Sequence, residues 1–108
     1  ELLQDGFADC GFRMVFYGPC TAPAVYVGGH KYQVHTTVQA GEYLTVDSNG
    51  KTVVLTTNTG EQASCFADRD REAYLFRPIS PGVNKITWDG SFGFDITLLE
   101  ERSEPKWI

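Results

Sequence analysis

The residues of this chain that could carry chemistry are two histidines, three cysteines, one run of alternating charge and a set of aromatics. His30 follows Gly28-Gly29 at a turn, and His35 falls on the strand face opposite Tyr32 and Val34. A zinc site would need further Cys, His or carboxylate donors at ligand spacing, and none flank either ring. Both histidines are expected at the surface, and no metal site is assigned. Cys10, Cys20 and Cys65 are odd in number and lack Cys-x-x-Cys spacing, so they indicate neither a zinc centre nor a disulfide framework. Three reduced thiols are expected, with Cys10–Cys20 the nearest pair should one bridge form. A nucleophilic thiol needs a histidine and an orienting group beside it, and the spacing places neither histidine next to a cysteine.

The run Asp68-Arg69-Asp70-Arg71-Glu72 reads in two ways. Arg69 and Arg71 carry the forked guanidinium that grips carboxylates and sugar hydroxyls. A solvated, mutually paired charge cluster is the plainer expectation. Asp95, between Phe94 and Ile96, falls on the polar face of its strand, which accounts for it fully, and it could pair there with Arg77 or Lys85. Two carboxylates about 5–9.5 Å apart in a cleft would suit glycoside hydrolysis, and no spacing here establishes such a pair. No catalytic residue and no cofactor is assigned, and the chain reads as a non-enzyme. Among the aromatics, Tyr26, Tyr32 and Tyr43 could stack sugars from a sheet face. Trp88 is expected in the core through pairing with Phe92. Trp107 lies past the last strand pattern and is expected to anchor against this domain or a neighbour. The candidate partner or glycan contacts are therefore Tyr26, Tyr32, Tyr43, Arg69, Arg71 and Trp107.

Strands must position these side chains, because period-2 alternation runs through most of the chain. Residues 42–48 and 51–57 flank Asn49-Gly50, the strongest short hairpin signal. A two-residue type I′ loop there pairs Ser48 with Lys51, Val46 with Val53 and Leu44 with Leu55. All four apolar side chains then share one face, and a one-residue slip would destroy that match. Ala24–Val27 turns through Gly28-Gly29 into a strand over Lys31–Val38, with Val25 and Val27 facing as Tyr32, Val34 and Thr36 do. Phe12–Tyr17 ends at Gly18-Pro19. Ala73–Arg77 is predicted as a strand stopped by Pro78. A last hairpin is expected with a three-residue loop, Asp89-Gly90-Ser91, pairing Trp88 with Phe92 and Ile86 with Phe94. About eight short strands result, arranged as an antiparallel β-sandwich of jelly-roll or galectin-like type, with a small barrel as the alternative. Residues 1–11 read as an arm or linker, 12–101 as the β-sandwich domain and 102–108 as a C-terminal tail.

Composition narrows the function classes. A chain of 108 residues is one domain, and 42% hydrophobic content with 13% aromatics supports a packed core. A net charge of −5 argues against nucleic acid or an anionic membrane as partner. No run approaches the ~18 apolar residues of a membrane span. The opening Glu1-Leu2-Leu3-Gln4 lacks an initiating Met and reads as a processed product or, the favoured expectation, a domain cut from a longer chain.

The segments PCTAPAVYVGGHKYQVHTTVQAGEYLTVDSNGKTVVLT and FRPISPGVNKITWDGSFGFDITLLEERSEPKW, together with Pro81, Gly82, Asn84 and Trp88 in a Pro-Gly-x-Asn-x-x-x-Trp pattern, carry a resemblance. Over residues 12–107 the chain resembles the C-terminal domain of siphophage distal tail proteins. The resemblance implies a galectin-like sandwich hung on a ring-forming N-terminal domain, in a virion tail assembled in the bacterial host cytoplasm. It implies a docking platform between tail tube and baseplate or fibre, whose partners are other phage tail proteins: the tube, a tail-associated fibre or lysin, and copies of itself in the full-length ring. Host-surface glycan is the alternative partner. The ring-forming domain has no counterpart in these residues, so the hexamer is not carried over to them.

Overall fold

The computed structural model describes residues 2–4, 10–70 and 73–99. The tail at 102–108, Trp107 and Arg71 lie outside them. The protein is an all-β antiparallel sandwich. Twelve strands are formed among the described residues: β1 (Leu2–Gln4), β2 (Gly11–Tyr17), β3 (Cys20–Thr21), β4 (Ala24–Val27), β5 (His30–Gln33), β6 (Thr37–Val38), β7 (Tyr43–Asp47), β8 (Thr52–Thr56), β9 (Gln62–Ser64), β10 (Gly82–Asn84), β11 (Ile86–Thr87) and β12 (Gly93–Leu99). A five-stranded sheet runs in the order β12-β2-β7-β8-β9, and a three-stranded sheet in the order β11-β4-β5. Two short pairs, β3 with β6 and β1 with β10, complete the pairing. Among the described residues the large sheet ends in two open edges rather than closing into a barrel.

Alternation builds the core from the large sheet. Phe12, Met14 and Phe16 on β2, with Leu44 and Val46 on β7 and Val53 on β8, are fully buried on its inner face. Val25, Val27 and Tyr32 face them from the smaller sheet. The Phe12 and Tyr32 rings meet edge to face with centroids 5.1 Å apart, joining the two layers. Leu75, Phe76 and Ile79 add buried side chains from an irregular segment. Such a segment corrects the strand expected over Ala73–Arg77: two successive buried residues cannot both face one side of a strand.

The hairpin of β7 and β8 has the expected register, with Val46 opposite Val53 and Leu44 opposite Leu55. Its loop differs. Asn49 and Gly50 do not take positive φ; Lys51 does, at 54°. Ser48 is drawn inward, where its Oγ accepts the Phe12 N–H at 2.8 Å and its own N–H donates to the Phe12 carbonyl at 3.0 Å. Asp47 Oδ1 accepts from the Asn49 and Gly50 N–H groups and closes the wider loop. The turn between β4 and β5 is of the expected kind, with Gly28 and Gly29 at φ 59° and 85°, a conformation glycine adopts without strain.

The last hairpin is overturned. β11 pairs with β4 in the small sheet, whereas β12 pairs with β2 in the large one over all seven residues. The link from Trp88 to Phe92 crosses between layers instead of turning within one. The strand expected over Lys31–Val38 also divides: β5 ends at Gln33, and β6 pairs elsewhere. Leu2–Gln4, where no strand pattern is legible, pairs with Gly82–Asn84.

Candidate functional site

The charged run after β9 is fastened to the small sheet. A short 3-10 turn at Phe66–Asp68 leads into it. The His35 N–H then donates to the Asp68 carbonyl at 2.7 Å, and the Asp70 N–H to the Gln33 carbonyl at 3.1 Å. Asp70 is buried, not solvated. Its Oδ1 accepts from His35 Nε2 at 2.8 Å, and its Oδ2 lies 3.3 Å from Lys31 Nζ and 3.0 Å from the Ala73 N–H. The expected self-paired cluster is corrected here, because Asp70 finds its partners on β5 and just beyond it. An ionised carboxylate only accepts, so His35 Nε2 carries the proton in this bond.

Those donors, the His35 hydrogen bond foremost and then Lys31 and the Ala73 N–H, hold the Asp70 pKa at about 2, against an ordinary value of 3.8. Because the folded value is the lower one, the stabilisation is complete above the ordinary value and is lost as pH falls through about 2. Acid unfolding followed by circular dichroism should therefore show a component between pH 4 and 2 that Asp70→Asn removes. An unchanged acid limb in the variant would exclude this carboxylate as its source.

With its backbone fixed, the loop displays an aromatic shelf. Phe66 stacks on Phe76 with centroids 6.0 Å apart and planes 14° from parallel, and Tyr74 meets Phe76 edge-on at 5.9 Å. Phe76 is buried beneath, while Phe66 and Tyr74 stay 40% and 54% exposed. The Arg69 guanidinium lies 4.0 Å over the Phe66 ring, and its Nη1 donates to the Phe66 carbonyl at 2.9 Å. His30 Nε2 donates to the Tyr74 carbonyl at 2.7 Å, which leaves Nδ1 to accept from Arg77 Nη1 at 3.4 Å. Of the sequence candidates among the described residues, only Arg69 belongs to this shelf. Phe66, Tyr74 and Phe76 were not anticipated; their one sequence signal is that Phe66 and Tyr74 each stand two residues outside the Asp68–Glu72 run.

The tyrosine candidates separate. Tyr43 is exposed on the outer face of the large sheet, where its partner is Tyr17, with ring centroids 6.4 Å apart. The Tyr17 hydroxyl donates to Asp95 Oδ2 at 2.7 Å, which raises the Tyr17 pKa. Asp95 thus meets Tyr17, not Arg77 or Lys85. Tyr26 is exposed on the other sheet, beside Thr87 of β11. Tyr32 is 1% exposed, its hydroxyl donating to the Arg77 carbonyl, and burial pushes its pKa up to about 12. It is a core residue and offers no face to a sugar. Trp88 is also corrected, being 42% exposed. Its Nε1 donates to the Phe92 carbonyl at 3.0 Å and its ring meets Phe94 edge-on at 4.9 Å.

Burial raises the pKa of both the Cys20 and Cys65 thiols, the opposite of what a nucleophile needs. Among the described residues no disulfide joins the cysteines and no group of three metal-ligating side chains forms. A cavity of about 30 Å³ beside Tyr32, His30, Arg77 and Asn84 has room for a water molecule or two, not for a sugar. Comparison with known proteins returns no matching family model, no matching curated protein and no matching solved structure.

Proposed function

We propose that this chain is a structural docking domain of a bacteriophage or prophage tail, the outer domain of a distal tail protein that receives a neighbouring tail protein. The resemblance over residues 12–107 supplies the class of assembly, and the sandwich fold is compatible with it. The observation that carries the docking role is the shelf of Phe66, Tyr74 and Arg69 over buried Phe76. Exposed aromatics with an arginine on a rigid base have the composition of protein-interface hot spots. The segment Asp68–Asp70 is held by backbone hydrogen bonds to Gln33 of β5 and to His35, and by the Asp70 carboxylate, so little ordering entropy opposes binding there. Calorimetric titration with the tail proteins encoded beside this one should give one saturable partner. Phe66→Ala with Tyr74→Ala should weaken that binding by about thirty-fold or more, since hot-spot truncations cost ~2 kcal/mol or above. Binding that the double variant leaves intact would place the docking surface elsewhere.

A second reading, a carbohydrate-binding module, is favoured by Tyr17, Tyr43 and Asp95 on one open sheet face. Two aromatic platforms beside a carboxylate suit a sugar's apolar face and its hydroxyls. In that case the isolated chain binds host-surface glycan saturably and loses binding on Tyr43→Ala, while the shelf variant keeps it.

A further inference from the structure

We infer that β12 is a self-association edge, along which two copies of this chain pair antiparallel about a two-fold axis at Ile96. β12 forms one border of the five-stranded sheet, paired to β2 along all seven residues and to nothing on its outer side among the described residues. An open strand edge presents a row of backbone donors and acceptors, and proteins blunt such edges with short strands, proline or lysine. The opposite border does so by length, since β9 has three residues. β12 has seven, Gly93–Leu99, with neither proline nor lysine.

Its apolar row is also incompletely covered. Phe94, Ile96 and Leu98 are only half-buried, whereas their register partners Phe16, Met14 and Phe12 on β2 are fully buried. The narrower three-stranded sheet leaves the outermost strand of the wider one partly open.

The strand's own sequence then chooses the partner. Centred on Ile96, a second copy gives Ile96 opposite Ile96, Phe94 opposite Leu98, Asp95 opposite Thr97 and Gly93 opposite Leu99. Phe94, Ile96 and Leu98 each meet another apolar side chain, all seven residues pair, and each face stays on its own side. Shifting the axis to Asp95 would set two carboxylates directly opposite and shorten the ladder, and shifting it to Thr97 shortens it equally. The arrangement is isologous and closes at two copies. The net charge of −5 on each copy opposes approach, so added salt should strengthen pairing by screening that repulsion.

Sedimentation equilibrium of the chain over a micromolar to millimolar concentration series, at two salt concentrations, tests the inference. A monomer–dimer equilibrium is expected, tighter at the higher salt. Thr97 is exposed on the outer face, so its substitutions probe the register without touching the core. Thr97→Asp sets two like-charge pairs against Asp95 and should raise the dissociation constant about two- to thirty-fold, while Thr97→Lys should lower it by a similar factor. Ile96→Lys should abolish the dimer, with circular dichroism reporting whether the fold survives. A chain that stays monomeric throughout overturns the inference, as does a dimer indifferent to both Thr97 variants. The shelf variant Phe66→Ala/Tyr74→Ala should leave the dimer unchanged, which keeps this result separate from that of tail-protein docking.

Discussion

Replacing Phe12 with alanine is expected to lower the unfolding free energy by about 3–5 kcal/mol, the range for truncating a fully buried aromatic. Phe12 is 0% exposed and is the ring that meets Tyr32 across the sandwich. Alanine leaves a void between the layers, and Tyr32 cannot move in to fill it because its hydroxyl is held by the Arg77 carbonyl. The backbone bonds between residue 12 and Ser48 survive the substitution, so the effect isolates the ring. Domains of this size have roughly 5–15 kcal/mol in total, and the variant would retain little margin. Urea denaturation at neutral pH measures it as a fall in midpoint at unchanged m-value. Phe66→Ala, at the half-exposed shelf, should move the same midpoint much less. A loss below about 1 kcal/mol for Phe12→Ala would mean that the two sheets do not meet through this ring.

What the sequence disclosed follows from what period-2 alternation encodes. It states which side chains share a face, so the common face of Leu44, Val46, Val53 and Leu55 and the register of β7 with β8 were legible. It does not state which strand lies alongside. Phe94, Ile96 and Leu98 do share the inward face, yet β12 joins β2, and the Asp89-Gly90-Ser91 break that resembles a hairpin turn is a crossing between sheets. Asp89 Oδ1 accepts from the Ser91 N–H and hydroxyl, a local closure that a hairpin loop and a crossover can share equally. Trp88 accordingly left the core for the surface. The Asn49-Gly50 signal located its turn but not the turn type, because a bond between residues 12 and 48, thirty-six apart, reset the loop.

The candidate site was less legible than the fold for a related reason. Tyr43 and Tyr26 are exposed aromatics whose partners are set by sheet neighbours and not by sequence distance: Tyr17 for Tyr43, and Thr87 of β11 for Tyr26. Tyr32 is buried because the face it shares with Val25, Val27 and Val34 turns inward, so the shared-face pattern outweighs the aromatic's suitability for a sugar. The shelf depends on Phe76 passing under both Phe66 and Tyr74 in an irregular segment, a relation that no periodicity records.

Gly18→Ala is expected to destabilise the fold by about 3 kcal/mol, the upper end of ordinary overpacking, and to open the tyrosine face as it does so. An added Cβ would lie 2.7 Å from the Gln39 carbonyl carbon and 2.8 Å from the Val38 carbonyl oxygen, both backbone atoms that no side-chain rotation can move aside. The turn it would press on is tightly closed: the Glu42 N–H donates to the Gln39 carbonyl, and Glu42 Oε1 accepts the Gln39 N–H, each at 3.0 Å. The Gly18 N–H donates to the Glu42 carbonyl at 3.0 Å, so displacing the turn breaks the bond between the segments that carry Tyr17 and Tyr43. The two rings, now 6.4 Å apart, would separate, and a ligand spanning both would lose one of its contacts. Thermal unfolding together with the tyrosine near-ultraviolet circular dichroism signal reads both effects in one sample. Gly93→Ala is the matched control, lying beside Tyr17 with an added Cβ only in ordinary contact at 3.9 Å, and should be close to neutral. If both alanines prove equally mild, the turn at Gln39–Glu42 yields to Gly18, and the spacing of the tyrosine pair is set by the strands alone.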